Sequence, residues 1–216
     1  MTRYPIQSVI ALGVLITSIS GAGVVAVFTD TATTGANSVT SGDQAHLNAL
    51  QIATATLGPG GIIECDTFSA DLQTGLFTMN GAQPGDTQNA YICLRNDYSA
   101  TLNLSVGVMD LVDTDPYCTN EESTFDTSCG SGAGELSGVL AATFGPYADC
   151  ATPTNVNTGQ LLSVLAADPI GFDSAAQAEV ACFQIQVSYG LSASGPQRQA
   201  AQTDDVSWRF AFTGTE

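Results

Sequence analysis

Three stretches of this chain alternate apolar with small or polar residues at a period of two, and that alternation commits the chain to β-structure. Leu102, Leu104, Val106 and Val108 are interleaved with Asn103, Ser105 and Gly107. Phe183, Ile185, Val187 and Tyr189 repeat the pattern, as do Val206, Trp208, Phe210 and Phe212 near the C-terminus. Successive side chains of a strand point to opposite faces, so each stretch offers one face to a core. Residues 47–54 and 61–68 read as further strands, and 87–95 follows the turn Gln83-Pro84-Gly85-Asp86, whose Pro and Gly occupy the second and third turn positions. Helical character is confined to 159–167, with one more turn over 173–179. Many short strands at this spacing predict an all-β, jelly-roll-like β-sandwich with at most one or two short helices. With 216 residues and 44% apolar composition, the chain is long enough for one buried core.

The pattern breaks after residue 110. Residues 110–135 carry seven acids, two cysteines and several glycines, and they predict an acidic surface insertion, with outer limits near 110–150, clamped by a disulfide. Acids dominate elsewhere too: 21 Asp and Glu face four arginines (Arg3, Arg95, Arg198 and Arg209), lysine is absent, and the net charge is −17. Such a field repels phosphate backbones and anionic lipid, which argues against nucleic-acid or membrane-surface partners.

Six cysteines occur without a CxxC pair, which argues for disulfides and an oxidising compartment rather than a zinc ribbon. Cys118 and Cys129, close together in the acidic loop, are expected to pair. Among the other four, Cys65 with Cys93 and Cys150 with Cys182 are the favoured pairings. The N-terminus agrees with export: Arg3 precedes an apolar run over 9–19 and then Gly21, Ala22 and Gly23, the layout of a signal peptide. Val24 and Ala26 suit cleavage between Ala26 and Val27, although an 18-residue apolar stretch over 9–26 is also long enough to stay as an anchor.

Catalytic constellations are missing from the sequence. His46 is the only histidine, and no GxSxG, Walker or dinucleotide-binding loop is present; Gly58-Pro59-Gly60-Gly61 reads as a turn. The adjacent acids Glu121 and Glu122 lack the aromatic platforms of a glycosidase cleft, because Trp208 is the one tryptophan. A non-enzymatic role is expected.

Three ordered passages resemble the TasA/camelysin family, exported matrix-fibre proteins processed by a SipW-type signal peptidase. The first is Gly23-Val24-Val25-Ala26-Val27-Phe28-Thr29-Asp30 with the residues up to Leu47; the second is Gln83-Pro84-Gly85-Asp86 with 91–96 and 100–108; the third is 173–189 with 199–212. Together they cover more than half of the chain. Six cysteines and no lysine depart from the lysine-rich, cysteine-free pattern of many members, and the histidines that a camelysin-type metalloprotease would use are missing. The resemblance implies a jelly-roll subunit of an extracellular filament, pilus or biofilm fibre, polymerising with identical subunits and a minor anchoring subunit by donor-strand exchange. A signal peptide over 1–26, a donor strand over 27–42 and a sandwich over 43–216 are expected.

The donor residues would be Val27, Phe28, Thr29, Thr31, Ala32, Thr33 and Val39. Fourteen residues, 27–40, reach about 45 Å when extended, enough to lie across a neighbouring subunit. A monomeric surface adhesin or ligand-binding sandwich is the alternative reading. No cofactor is expected except calcium, for which Asp110, Asp113, Asp115, Glu121, Glu122 and Asp126 form a candidate set: oxygen-only ligands suit a hard cation, and a solvated acidic loop is the competing reading.

Overall fold

The computed structural model describes residues 31–34, 37–41, 50–72, 75–80, 82–115, 119–120, 122–126, 134–154, 158–190, 195, 197, 201 and 204–215. The fold is all-β, built from two seven-stranded sheets. The first contains β1 (Thr31–Thr34), β2 (Asn37–Ser41), β5 (Asp71–Leu72), β6 (Thr78–Asn80), β8 (Leu102–Thr114), β12 (Ile170–Ala175) and β14 (Asp205–Thr215). The second contains β3 (Leu50–Leu57), β4 (Ile63–Cys65), β7 (Thr87–Asn96), β9 (Leu140–Ala148), β10 (Thr152–Pro153), β11 (Thr158–Leu161) and β13 (Val180–Tyr189).

Period-two patterning does what it predicts. Val206, Trp208, Phe210 and Phe212 of β14 and Leu102, Leu104, Val106 and Val108 of β8 are buried from the first sheet, and Phe183, Ile185, Val187 and Tyr189 of β13 from the second. They share one core with Leu50, Ile52, Ile92, Leu94 and Phe144, so the sheets pack face to face as a sandwich. Edge-to-face aromatic contacts tie the layers: Phe144 to Phe210 at 5.6 Å, and Phe172 to Phe183 at 4.8 Å between ring centroids, each worth about 0.5–1.5 kcal/mol beyond the area it buries. Trp208 faces inward.

Three expectations need correction. The strand β8 continues through 110–113 to Thr114 and β9 runs over Leu140–Ala148, so both ends of the expected 110–150 insertion contain strand. The pairing partners on β14 and β13 explain this, because they hold the outer residues of β8 and β9 in ladders. The expected helix over 159–167 is half strand: 158–161 pairs with β9, and only Leu162–Ala167 forms the helix α1, which buries Leu162 and Leu165. Similarly 173–175 completes β12 against β8, leaving the turn to 176–179.

On the outer face of the second sheet lies a small satellite core of Ala53, Ile63, Cys93 and Cys182, flanked by Phe68, Tyr91 and Tyr147. Cys65 is bonded to Cys93 and Cys150 to Cys182. Cys93 and Cys182 are direct cross-strand neighbours on β7 and β13, with sulfurs 3.5 Å apart, so the two bridges lie side by side. Together they staple β4 and the turn after β9 across the middle of the sheet. Cys118 and Cys129 lie outside the described residues.

Candidate functional site

The site begins with three acids from three parts of the chain. Asp115 follows the last residue of β8, Glu122 opens a short 3-10 turn over Glu122–Thr124, and Asp204 immediately precedes β14. Their carboxylate oxygens lie within 4.8 Å of one another, and all three residues are buried, Glu122 and Asp204 completely. Carboxylates are rarely so placed without a compensating ligand or proton.

Local structure fixes each one. Thr119-Asn120-Glu121-Glu122 is a capping box: the Thr119 N–H donates to Glu122 Oε2 and the Glu122 N–H to Thr119 Oγ1, both at 3.1 Å. The box pins the Glu122 side chain against its own turn, with Oε1 buried. Asp204 is held by the Glu135 N–H, which donates to Oδ2, while Oδ1 is buried with no hydrogen-bond partner among the described residues. The backbone around Gly134 approaches so closely that a Cβ there would sit 2.9 Å from Asp204 Cγ and 3.0 Å from the Thr114 carbonyl oxygen. Only glycine fits without moving something.

Electrostatics follow from this crowding. Burial, opposed by the Glu135 N–H and reinforced by the negative charges of Glu135, Asp115 and Glu122, pushes the Asp204 carboxyl up to about 8. Asp113 is also raised, chiefly by burial, although the Ser137 N–H donates to its Oδ1 at 3.1 Å. The two arginines among the described residues are engaged elsewhere. Arg95 pairs with Asp97 at 2.8 Å and lies 4.5 Å over the Phe68 ring, and Arg209 pairs with Asp110.

The expected calcium residues therefore divide. Asp115 and Glu122 come together, and Asp126 is buried one turn further on, its N–H donating to the Glu122 carbonyl at 2.8 Å. Asp113 is taken up by Ser137. Asp110, exposed on β8, pairs with Arg209 at a bulge where its φ is 50° and does not join the cluster. Glu121 lies outside the described residues. Asp204 and Glu135 were not singled out by sequence; the available signal was an Asp204-Asp205 pair directly ahead of the β14 alternation, and a Gly134-Glu135 step ahead of an apolar run. Beside the cluster, Glu135 also lines an open surface pocket with Ser137, Gly138, Val139 and Gln197.

The second feature is the lane filled by the N-terminal segment. Residues Thr31, Ala32 and Thr33 of β1 and Val39 of β2 belong to strands that run parallel to β14 along nearly its whole length, with Ala32 opposite Val206 and Val39 opposite Phe212. Every other pairing among the described strands is antiparallel. On its far side the segment pairs with β6 and β5, which reach the sheet only through it among the described strands. The segment thus occupies a central lane of its own sheet. Ala26, Val27, Phe28 and Thr29, and with them the expected cleavage site, lie outside the described residues, as does His46.

Comparison with protein-family models, with curated proteins and with solved structures finds no match.

Proposed function

We propose that this chain is a self-assembling structural subunit of an extracellular filament, pilus or biofilm-matrix fibre, joined to identical copies by exchange of its N-terminal strand. The observation that carries the reading is the parallel lane beside β14. A β-hairpin sheet is built by antiparallel neighbours, whereas a parallel strand must arrive by a long crossover or from elsewhere. The same strand supplied by a second copy would make the same backbone hydrogen bonds, which is the logic of strand exchange and of β-augmentation. The resemblance of the N-terminal junction and the Gln83-Pro84-Gly85-Asp86 block to the TasA/camelysin family supports the same assignment. So does the chemistry of export: the bonded pairs Cys65–Cys93 and Cys150–Cys182 suit an oxidising compartment. No helix among the described residues is long and apolar enough to cross a membrane. The role is structural rather than catalytic, given a single histidine and no nucleophile motif, and a minor subunit would anchor the fibre.

A monomeric surface adhesin or ligand-binding sandwich is the second reading. It is favoured by the fact that one copy fills its own lane and completes its own sheet. Negative-stain microscopy and size-exclusion chromatography of the purified chain separate the two. Filaments that disappear when Phe28 is replaced by Asp support exchange, since a buried carboxylate at the donor strand would cost several kcal/mol. A monomer that persists at high concentration in every condition rules exchange out.

A further inference from the structure

We propose that Asp115, Glu122 and Asp204 form a calcium site that fastens the β8–β9 connection to the start of β14. Two ligands on opposite sides of a calcium ion, each at about 2.4 Å, are about 5 Å apart. The three carboxylates, with oxygens within 4.8 Å of one another, lie within the span of one coordination sphere. An acidic cluster alone would not make a site. Here Asp204 adds an independent observation: it is fully buried, its Oδ2 is held by the Glu135 N–H, and its Oδ1 has no hydrogen-bond partner among the described residues although it belongs to a carboxylate packed against two others. A buried carboxyl oxygen in that position, packed against two other carboxylates, is what a cation would complete.

The donor set selects the ion. All three groups are carboxylates, with no imidazole or thiolate, which disfavours zinc and favours a hard cation. Each of the three residues offers one carboxylate oxygen. Calcium, which takes about six to eight oxygen ligands in a flexible geometry, would fill its remaining positions with other oxygens or water, whereas magnesium demands a smaller, near-ideal octahedron. Asp126, buried on the Glu122 turn, and Glu135, whose charge acts on Asp204, add negative charge nearby. The close backbone passage at Gly134 shows a site held by its surroundings rather than a loose loop of acids. The consequence is mechanical: one ion would add a further tie between three chain segments whose acidic groups repel one another at this point. This inference is independent of whether the chain polymerises.

Equilibrium dialysis of the purified, chelator-treated chain against calcium chloride, followed by thermal unfolding, tests it. One ion should bind per chain with saturation at or below millimolar calcium. Calcium should raise Tm by several degrees above a sodium chloride control of equal ionic strength. In Asp204→Asn and Glu122→Gln, each verified as folded by circular dichroism, affinity should fall at least tenfold. Binding that is absent in the unaltered chain overturns the proposal, and that measurement stands even if a variant does not fold. Unchanged affinity in both folded variants overturns it as well, and an equal response to magnesium overturns the choice of calcium.

Discussion

Asp204 is the residue whose surroundings say most about how this chain responds to its medium. Its carboxyl is held near 8 in the folded protein against 3.8 for an ordinary aspartate. Between those values the folded state retains a proton that the unfolded state has lost, so stability is greatest on the acid side and falls as pH rises through 8. Asp113, raised by burial, acts in the same direction. In calcium-free buffer Tm should therefore be higher at pH 5 than at pH 8, and Asp204→Asn should flatten that slope; an unchanged slope would show that general charge repulsion alone causes it. Gly134→Ala checks the geometry separately. Its Cβ would press on Asp204 Cγ and the Thr114 carbonyl, with a cost of about 1–3 kcal/mol, measurable by denaturant unfolding. Two of the three acids of this cluster were legible in advance. Asp115 and Glu122 stand in an acid-rich run, and Thr119 three residues ahead of Glu122 is a recognisable capping pair. Asp204 was not legible, because its distance from Asp115 in the chain is bridged only by the tertiary fold that brings β14 beside β8.

Elements carry a different balance. The strands β8, β13 and β14 were readable because each alternates large apolar side chains over a long run, and burial on one face is what such a pattern means. The short strands β5 and β6 carry no such run, and the parallel placement of β1 and β2 depends on the opposite end of the chain. Removing a core ring tests the sandwich: Phe210→Ala, which breaks contacts with Phe144, Phe77 and Trp208, should cost about 3–5 kcal/mol. The outer staples should be separable from that core. Bridges spanning 28 and 32 residues should each stabilise by about 2–4 kcal/mol, read as the loss on replacing one pair by serine. Because Cys93 and Cys182 face each other with sulfurs 3.5 Å apart, replacing Cys65 and Cys150 by serine should yield a new Cys93–Cys182 bond. Non-reducing peptide mapping would detect it, and two free thiols would count against the cross-strand geometry.

For the molecule as a whole, a net charge of −17 sets copies against one another. If the chain polymerises, raising salt from about 0.1 M to 1 M, which shortens the screening length from about 10 Å to 3 Å, should speed growth followed by light scattering. Growth indifferent to salt would point to contacts remote from the acids. The parallel lane beside β14 also has a bearing on time. β1 and β2 pair with β14 across a long stretch of sequence, Ala32 opposite Val206 and Val39 opposite Phe212, so their ladder closes the longest loop among the described strand pairings. Pairings of lower separation, such as β7 with β13 or β9 with β13, can form earlier, and contacts of high separation form slowly. Until that ladder closes, the lane beside β14 is vacant, the N-terminal segment is unpaired, and β5 and β6, which reach the sheet only through it among the described strands, have no place in the sheet. On the strand-exchange reading, how crowded the copies are during that interval would decide whether the strand closes on its own sheet or on a neighbour's, since the two outcomes would make the same hydrogen bonds.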